Sequence, residues 1–211
     1  MILKPKAELR MPTAKLFWIS GFFVVTIVAF IRYMLDQATK TFAPVMLMEC
    51  YENVSPNTGN LLNLLIIMFG ILGTIFTKVV LYPKRVRNEL KGFMLLLLLA
   101  LPVSVMLQFV GKISMIPIIL GLSVTSALFN GGHLFVSYYT NCFVKYGKSA
   151  TAAGVINAAA SLGAVVPGYG FLRIAEIWGW QALTELWTVM IVVMITLLFA
   201  ILPAFIKFKK I

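Results

Sequence analysis

Apolar residues fall along this chain in long blocks, with few of the polar interruptions that mark a half-buried element. The stretch from Leu16 to Ile31 is almost pure hydrocarbon, and comparable blocks follow it to the end of the chain. Several exceed the roughly eighteen apolar residues needed to cross a bilayer. Six spans are expected: Leu16–Leu35, continuing past a break to Met48; Thr58–Tyr82; Gly92–Val110; Ile113–Tyr139; Ser149–Leu172; and Ala182–Ile206. All should be helices, because in lipid only helices and closed barrels satisfy every backbone polar group. The blocks are too long, and their alternation too weak, for barrel strands. The first block is also too long for a signal peptide, and no small-residue cleavage site follows it. The expected fold is therefore all-α, a polytopic membrane protein with a transmembrane domain over 15–206. Residues 1–14 read as a cytoplasmic linker or tail, and 207–211 as a basic cytoplasmic C-terminus.

Composition agrees. Of 211 residues, 61% are hydrophobic and 12% charged, against roughly 45–50% and about 25% in soluble domains. The net charge of +11 would suit nucleic acid, but there is no RNA-binding motif and no basic helix face. Instead the basic residues gather in alternate loops. Lys4, Lys6, Arg10 and Lys15 precede the first span; Lys84, Arg85, Arg87 and Lys91 follow the second. Lys145 and Lys148 follow the fourth, and Lys207, Lys209 and Lys210 end the chain. The other loops hold Lys40, Lys112 and Arg173 beside Glu49, Glu52 and Glu176. This asymmetry predicts both termini on the cytoplasmic side of the cell membrane. Trp178, Trp180 and Trp187 are expected at the opposite interface.

Enzyme chemistry finds few residues to stand on. There is no G-x-S-x-G and no phosphate-binding Gly-rich Lys loop, and neither cysteine nor histidine spacing suggests a metal. No cofactor, metal or catalytic residue is expected. Cys50 and Cys142 fall at opposite faces and should not pair.

The charges inside the first span are harder to dismiss. Arg32, Asp36 and Lys40 recur every fourth residue on one helix face. Arg32 lies about 25 Å from Lys15 along a helix, beyond the midplane but within hydrocarbon. An Arg at the centre of a span costs about 2.5–3.5 kcal/mol on insertion scales. Two readings are open. Arg32 and Asp36 could be a structural ion pair in a bundle, or the net positive strip could line the path of an anion, the default for an intramembrane ionisable group.

Other polar residues extend the picture. Asn130, His133 and Ser137 share a face of the fourth span, with Tyr138 beside them. A histidine there could handle protons or hydrogen-bond substrate, or simply be satisfied by a neighbouring helix. In the fifth span, the stripes Ala150, Gly154, Ala158 and Ala153, Asn157, Ser161 read first as packing surfaces, with Asn157 a candidate substrate contact. Asn63 and Gln108 read as interhelical hydrogen bonders, and Gly131–Gly132 as a loosened or closely packed point. Pro102, Pro117 and Pro167 should mark kinks or helix ends.

Three stretches carry a family resemblance. "KLFW…FIRYMLDQ" resembles the seventh helix of the organophosphate/phosphate antiporters of the major facilitator superfamily, typified by glycerol-3-phosphate transporters. "KYGKSATAAGVINAAASLGAVVPGYG" resembles the start of their eleventh helix, and "WGWQA" the turn before their last. One departure is plain: where the superfamily carries Asp in its Gly-x-x-x-Asp-Arg/Lys loop, this chain has Thr77, between Gly73 and Lys78.

The resemblance implies the C-terminal half of a twelve-helix fold, itself two inverted three-helix repeats. It implies alternating access without covalent chemistry, for a small organic anion, organophosphates or sugar phosphates included. Arg32 would bind the anion, and Tyr33 and Asp36 would orient it or trade partners with it. Lys40, Asn130, His133 and Asn157 would line the path. The partners implied are the bilayer and a missing N-terminal half or a second copy. The alternative is a truncated or structural membrane subunit that transports nothing.

Overall fold

The computed structural model describes residues 11–52, 54–82 and 84–210. Most of the N-terminal linker expected over 1–14 lies outside the described residues. Every regular element among the described residues is a helix.

A short helix α1 (Thr13–Ile19) ends at Gly21, whose φ of 73° reverses the chain into α2 (Phe22–Cys50). The Phe17 and Phe22 rings stack across this corner, 4.0 Å apart. The break in the first block thus falls at Gly21, before the charges and not after Leu35. The reason is local: Gly21 tolerates positive φ without a Cβ clash, whereas Asp36 and Lys40 pair within α2 and leave the helix no cause to stop. The helix even continues through Pro44, so its 29 residues reach roughly 43 Å.

Helix α3 (Pro56–Phe76) starts at Ser55, whose hydroxyl accepts the Thr58 N–H at 3.2 Å, with proline in the first turn. It widens into a π-helical turn at Thr77–Leu81. Helix α4 (Glu89–Leu107) is capped by Asn88, which accepts the Lys91 N–H at 3.0 Å. Helix α5 (Met115–Thr140) tightens into a 3₁₀ turn at Asn141–Tyr146. Helix α6 (Ser149–Val166) widens into a second π-helical turn at Pro167–Phe171. Helix α7 (Leu172–Lys210) follows, broken at Gly179 with φ 82° and ψ 169°. The fifth apolar block therefore runs on past Leu172 to this break. Of the three prolines expected at kinks or ends, Pro167 opens a π turn, Pro117 sits in the first turn of α5 and Pro102 lies inside α4.

Among the described residues five stretches are long and apolar enough to cross a membrane: Phe22–Cys50, Pro56–Leu81, Glu89–Leu107, Met115–Tyr146 and Ser149–Lys210, the last containing the Gly179 break. Their outward faces are hydrocarbon. Leu61, Ile71, Leu162, Val165 and Phe199 are more than half exposed, a surface that lipid covers without penalty and water does not. The chain is a multi-pass, all-helical membrane protein.

The helices interlock. Helix α2 packs most extensively on α6, and α5 on α3 and α4. In the first pair Gly163 meets the Phe30 carbonyl; in the second Gly73 meets the backbone of Ala127. Both contacts are backbone against backbone, possible because glycine carries no Cβ. The buried positions of α3 and α6 also run in step: Ile66 with Ile156, Gly70 with Ala160, Thr77 with Pro167. Each series ends in a π turn four residues past its close-packed glycine. Few residue identities mark the repeat, Ile66 with Ile156 and Gly73 with Gly163 among them; burial and backbone bring it out.

Neither small-residue stripe expected to pack is buried: Ala150, Gly154, Ala158, Asn157 and Ser161 are exposed and Ala153 is half-buried. The packing face of α6 is Ala152, Ile156, Ala160 and Gly163, because those positions project onto α2. The basic C-terminus is not a separate tail: Lys207 to Lys210 continue α7. There Lys209 Nζ donates to both Glu89 oxygens, at 2.6 and 2.8 Å, tying the end of α7 to the start of α4. Of the three tryptophans expected at an interface, only Trp178 is exposed. Trp187 is buried, and Trp180 donates its indole N–H to Glu49 at 2.7 Å.

Candidate functional site

Arg32 is the largest fully buried side chain, 1% exposed. Its Nη1 donates to the Phe129 carbonyl on α5 at 3.1 Å. Its Nη2 comes only to 3.5 Å from His133 Nδ1, a long contact that needs the His133 proton on Nε2. Its Nε has no partner. The Tyr33 ring lies 5.0 Å beneath the guanidinium carbon, within cation–π range.

Asp36 stands one turn along and is 3% exposed. One oxygen accepts from Lys40 Nζ at 2.7 Å and the other from Asn130 Nδ2 at 2.9 Å. Of the two partners open to Asp36 on its own helix, Lys40 is taken and Arg32 is not: Lys40 and Asn130 each hold one carboxylate oxygen. Among the described residues no carboxylate pairs with Arg32. The physical reason is the order along the helix: an acid four residues before a base pairs better than the reverse, which favours Lys40 over Arg32, and Asn130 on α5 adds the second bond.

Asn130 is held from both sides. It also donates to the Ser126 carbonyl at 2.8 Å, and α3 comes close at Gly70, where an added methyl would lie 2.8 Å from the Ser126 hydroxyl and 2.9 Å from the Asn130 amide. Gly131 and Gly132 next to it prove to be close-packing positions, against Thr77 and Phe93. Six of the seven sequence-named residues, Arg32, Tyr33, Asp36, Lys40, Asn130 and His133, thus meet between α2 and α5. The seventh, Asn157, does not join them. It is exposed on α6, because the face of that helix turned to α2 is the Ile156–Ala160 face.

Two buried hydroxyls on α5 escape sequence reasoning, Ser126 beside Asn130 and Ser123 further along the same face. The Ser123 and Ser126 hydroxyls are fully buried and unpartnered. With Asn130, His133 and Ser137 they form one stripe at alternating spacings of three and four, which was the available signal. Of the expected interhelical bonders, Gln108 does reach α7, donating to Thr188 at 3.0 Å. Asn63 leaves its carbonyl oxygen buried and unpartnered. Both cysteines are free. Among the described residues no group of three His, Cys, Asp or Glu side chains could hold a metal ion.

The electrostatic sum is simple. The charges of Arg32, Asp36 and Lys40 sum to plus one, and among the described residues Arg32 forms no ion pair. Comparison of the chain with protein-family models, curated proteins and solved structures gave no match.

Proposed function

We propose that the chain forms half of a secondary transporter that moves small organic anions across the cell membrane by alternating access. The single observation behind this reading is the buried, uncompensated Arg32. Holding a charge out of water without a partner costs several kcal/mol, and such a group in a membrane helix ordinarily belongs to a substrate or ion path. The reading also draws support from the matched glycine and π-turn positions of α3 and α6, as two related three-helix units would give. Six spans follow if the Gly179 break divides the last helical stretch. The resemblance to the major facilitator superfamily supplies the partner, a second six-helix half, and a mechanism with no covalent step.

Uptake of labelled organic anions by vesicles tests the reading, with this chain alone and with a candidate N-terminal half. Saturable uptake is expected only when both are present. Saturable uptake by the chain alone would dispose of the half-transporter, and no uptake in either case would dispose of transport.

The proposed orientation places both termini and the Lys84–Lys91 segment in the cytoplasm, on the strength of the basic loops. An impermeant thiol reagent added to intact cells should then label Cys50 in a Cys142→Ser background. Labelling that appears only after permeabilisation reverses the orientation.

One observation favours the alternative, a structural subunit. Arg32 is enclosed and bonded to the Phe129 carbonyl, so it also clamps α2 to α5. The two readings part at Arg32→Lys, taken up below.

A further inference from the structure

The atoms of Arg32 say more than its charge does. A guanidinium has two edges that can grip a pair of oxygens, and Nε with Nη2 form the side-on one. Here Nη1 is committed to the Phe129 carbonyl at 3.1 Å, which pins the group in place. Nε is without a partner, and Nη2 has only the 3.5 Å approach of His133. The free edge is thus the one whose two N–H groups are spaced for both oxygens of a carboxylate or phosphate.

Charge separates those two. Asp36 is held by Lys40 on one oxygen and Asn130 on the other. The cluster of buried Arg32 and Asp36 with the partly exposed Lys40 therefore carries a net single positive charge. One negative charge on a ligand neutralises it. A dianion would leave an excess negative charge beside the Asp36 carboxylate in a poorly solvated place. Beyond Asn130, the stripe on α5 offers the unpartnered, fully buried hydroxyls of Ser126 and Ser123. Buried hydroxyls of this kind favour a ligand that brings hydrogen-bonding groups of its own.

We propose that the free Nε–Nη2 edge of Arg32, in a cluster of net charge plus one, selects a hydroxylated monocarboxylate over dianionic phosphate esters and dicarboxylates. This rests on Arg32 as the anion-binding residue of a transporter and narrows the substrate class of that site. Asp36 takes part by setting the charge count; it touches no substrate and is a positioning residue.

The test is equilibrium binding to the full chain in lipid nanodiscs at pH 8, with gluconate, succinate and glycerol 3-phosphate as probes. At that pH a phosphate monoester is a dianion. Gluconate should bind about 10–100-fold more tightly than either dianion. Asp36→Asn keeps the side-chain shape and an oxygen for Lys40 but raises the net charge to plus two, so the preference should turn toward the dianions. A merely structural Asp36 would weaken all three probes alike. Tighter binding of a dianion to the parent chain, or a uniform loss in Asp36→Asn, overturns the monocarboxylate and leaves an anion site standing. If no probe binds the parent chain, both the narrowing and the anion site fall. The parent comparison decides even where Asp36→Asn does not accumulate.

Discussion

Arg32→Lys should reach the membrane at close to parental abundance and lose about 10–100-fold in affinity for organic anions. A lysine ammonium can still reach a carbonyl such as that of Phe129, so the bond between α2 and α5 has a substitute. It cannot present two parallel N–H donors on one edge. Hydrogen bonds to charged groups contribute about 1.5–3 kcal/mol each, which sets the scale of the loss. Abundance by fluorescence-detected size exclusion and affinity by calorimetry make the two readouts. Unchanged anion binding in Arg32→Lys would identify Arg32 as a clamp alone.

The pairing of Asp36 sharpens the series. Arg32→Ala leaves Asp36 with Lys40 and Asn130 intact, so the variant should lose binding while keeping a measurable folded fraction. Adding Asp36→Ala strips Lys40 and Asn130 of their shared acceptor, and the double variant should be less abundant than Arg32→Ala. An Arg32–Asp36 ion pair predicts the reverse, a double variant that recovers.

Gly73→Ala should abolish the monodisperse folded protein, and Gly163→Ala should do the same. In each case the new methyl lands on a neighbouring backbone, that of Ala127 or the Phe30 carbonyl. Backbone cannot step aside as a side chain can, so the helices must separate. Overpacking typically costs about 1–3 kcal/mol, and a displaced helix pair exceeds that range because the contacts along both helices are lost with it. The control lies on the same helix as Gly163. Nothing stands within 4 Å of a methyl on Gly154, so Gly154→Ala should be neutral in thermal denaturation. Equal loss in all three variants would mean that close approach is not what sets Gly73 and Gly163 apart, since helix propensity alone favours alanine over glycine at all three positions.

The second, third and fourth spans were legible because their apolar blocks are bounded by charge or by cap residues such as Ser55 and Asn88. Block boundaries alone could not locate the turn at Gly21, since a single glycine inside hydrocarbon reads equally as packing. The face of α6 was misread for a related reason. Small residues occupy nearly all of Ser149 to Ala164, so composition could not say which stripe meets α2. Six members of the candidate site were legible because polar side chains are rare in such blocks and each one stands out. Their pairing was legible only in part. The acid-before-base order on α2 favours Lys40 over Arg32 as the partner of Asp36, whereas the bond from Asn130, on a helix distant in sequence, has no local signal.

The interlocking of the helices has a consequence in time. Arg32 finds its carbonyl partner at Phe129, 97 residues further along the chain, and the face of α2 beside it waits longer still, for Gly163. At roughly 5–20 residues per second, a ribosome needs about 5–20 s to cover the first interval. Throughout that delay α2 must sit in or beside the translocon with a lone guanidinium and half its packing surface bare. The Asp36–Lys40 pair needs no later helix, since both residues lie on α2, and so is complete from the start. Arg32 is not. The nascent chain is most exposed to quality-control proteases between the emergence of α2 and the arrival of α5, and the rate of synthesis across α3 and α4 sets how long that window stays open.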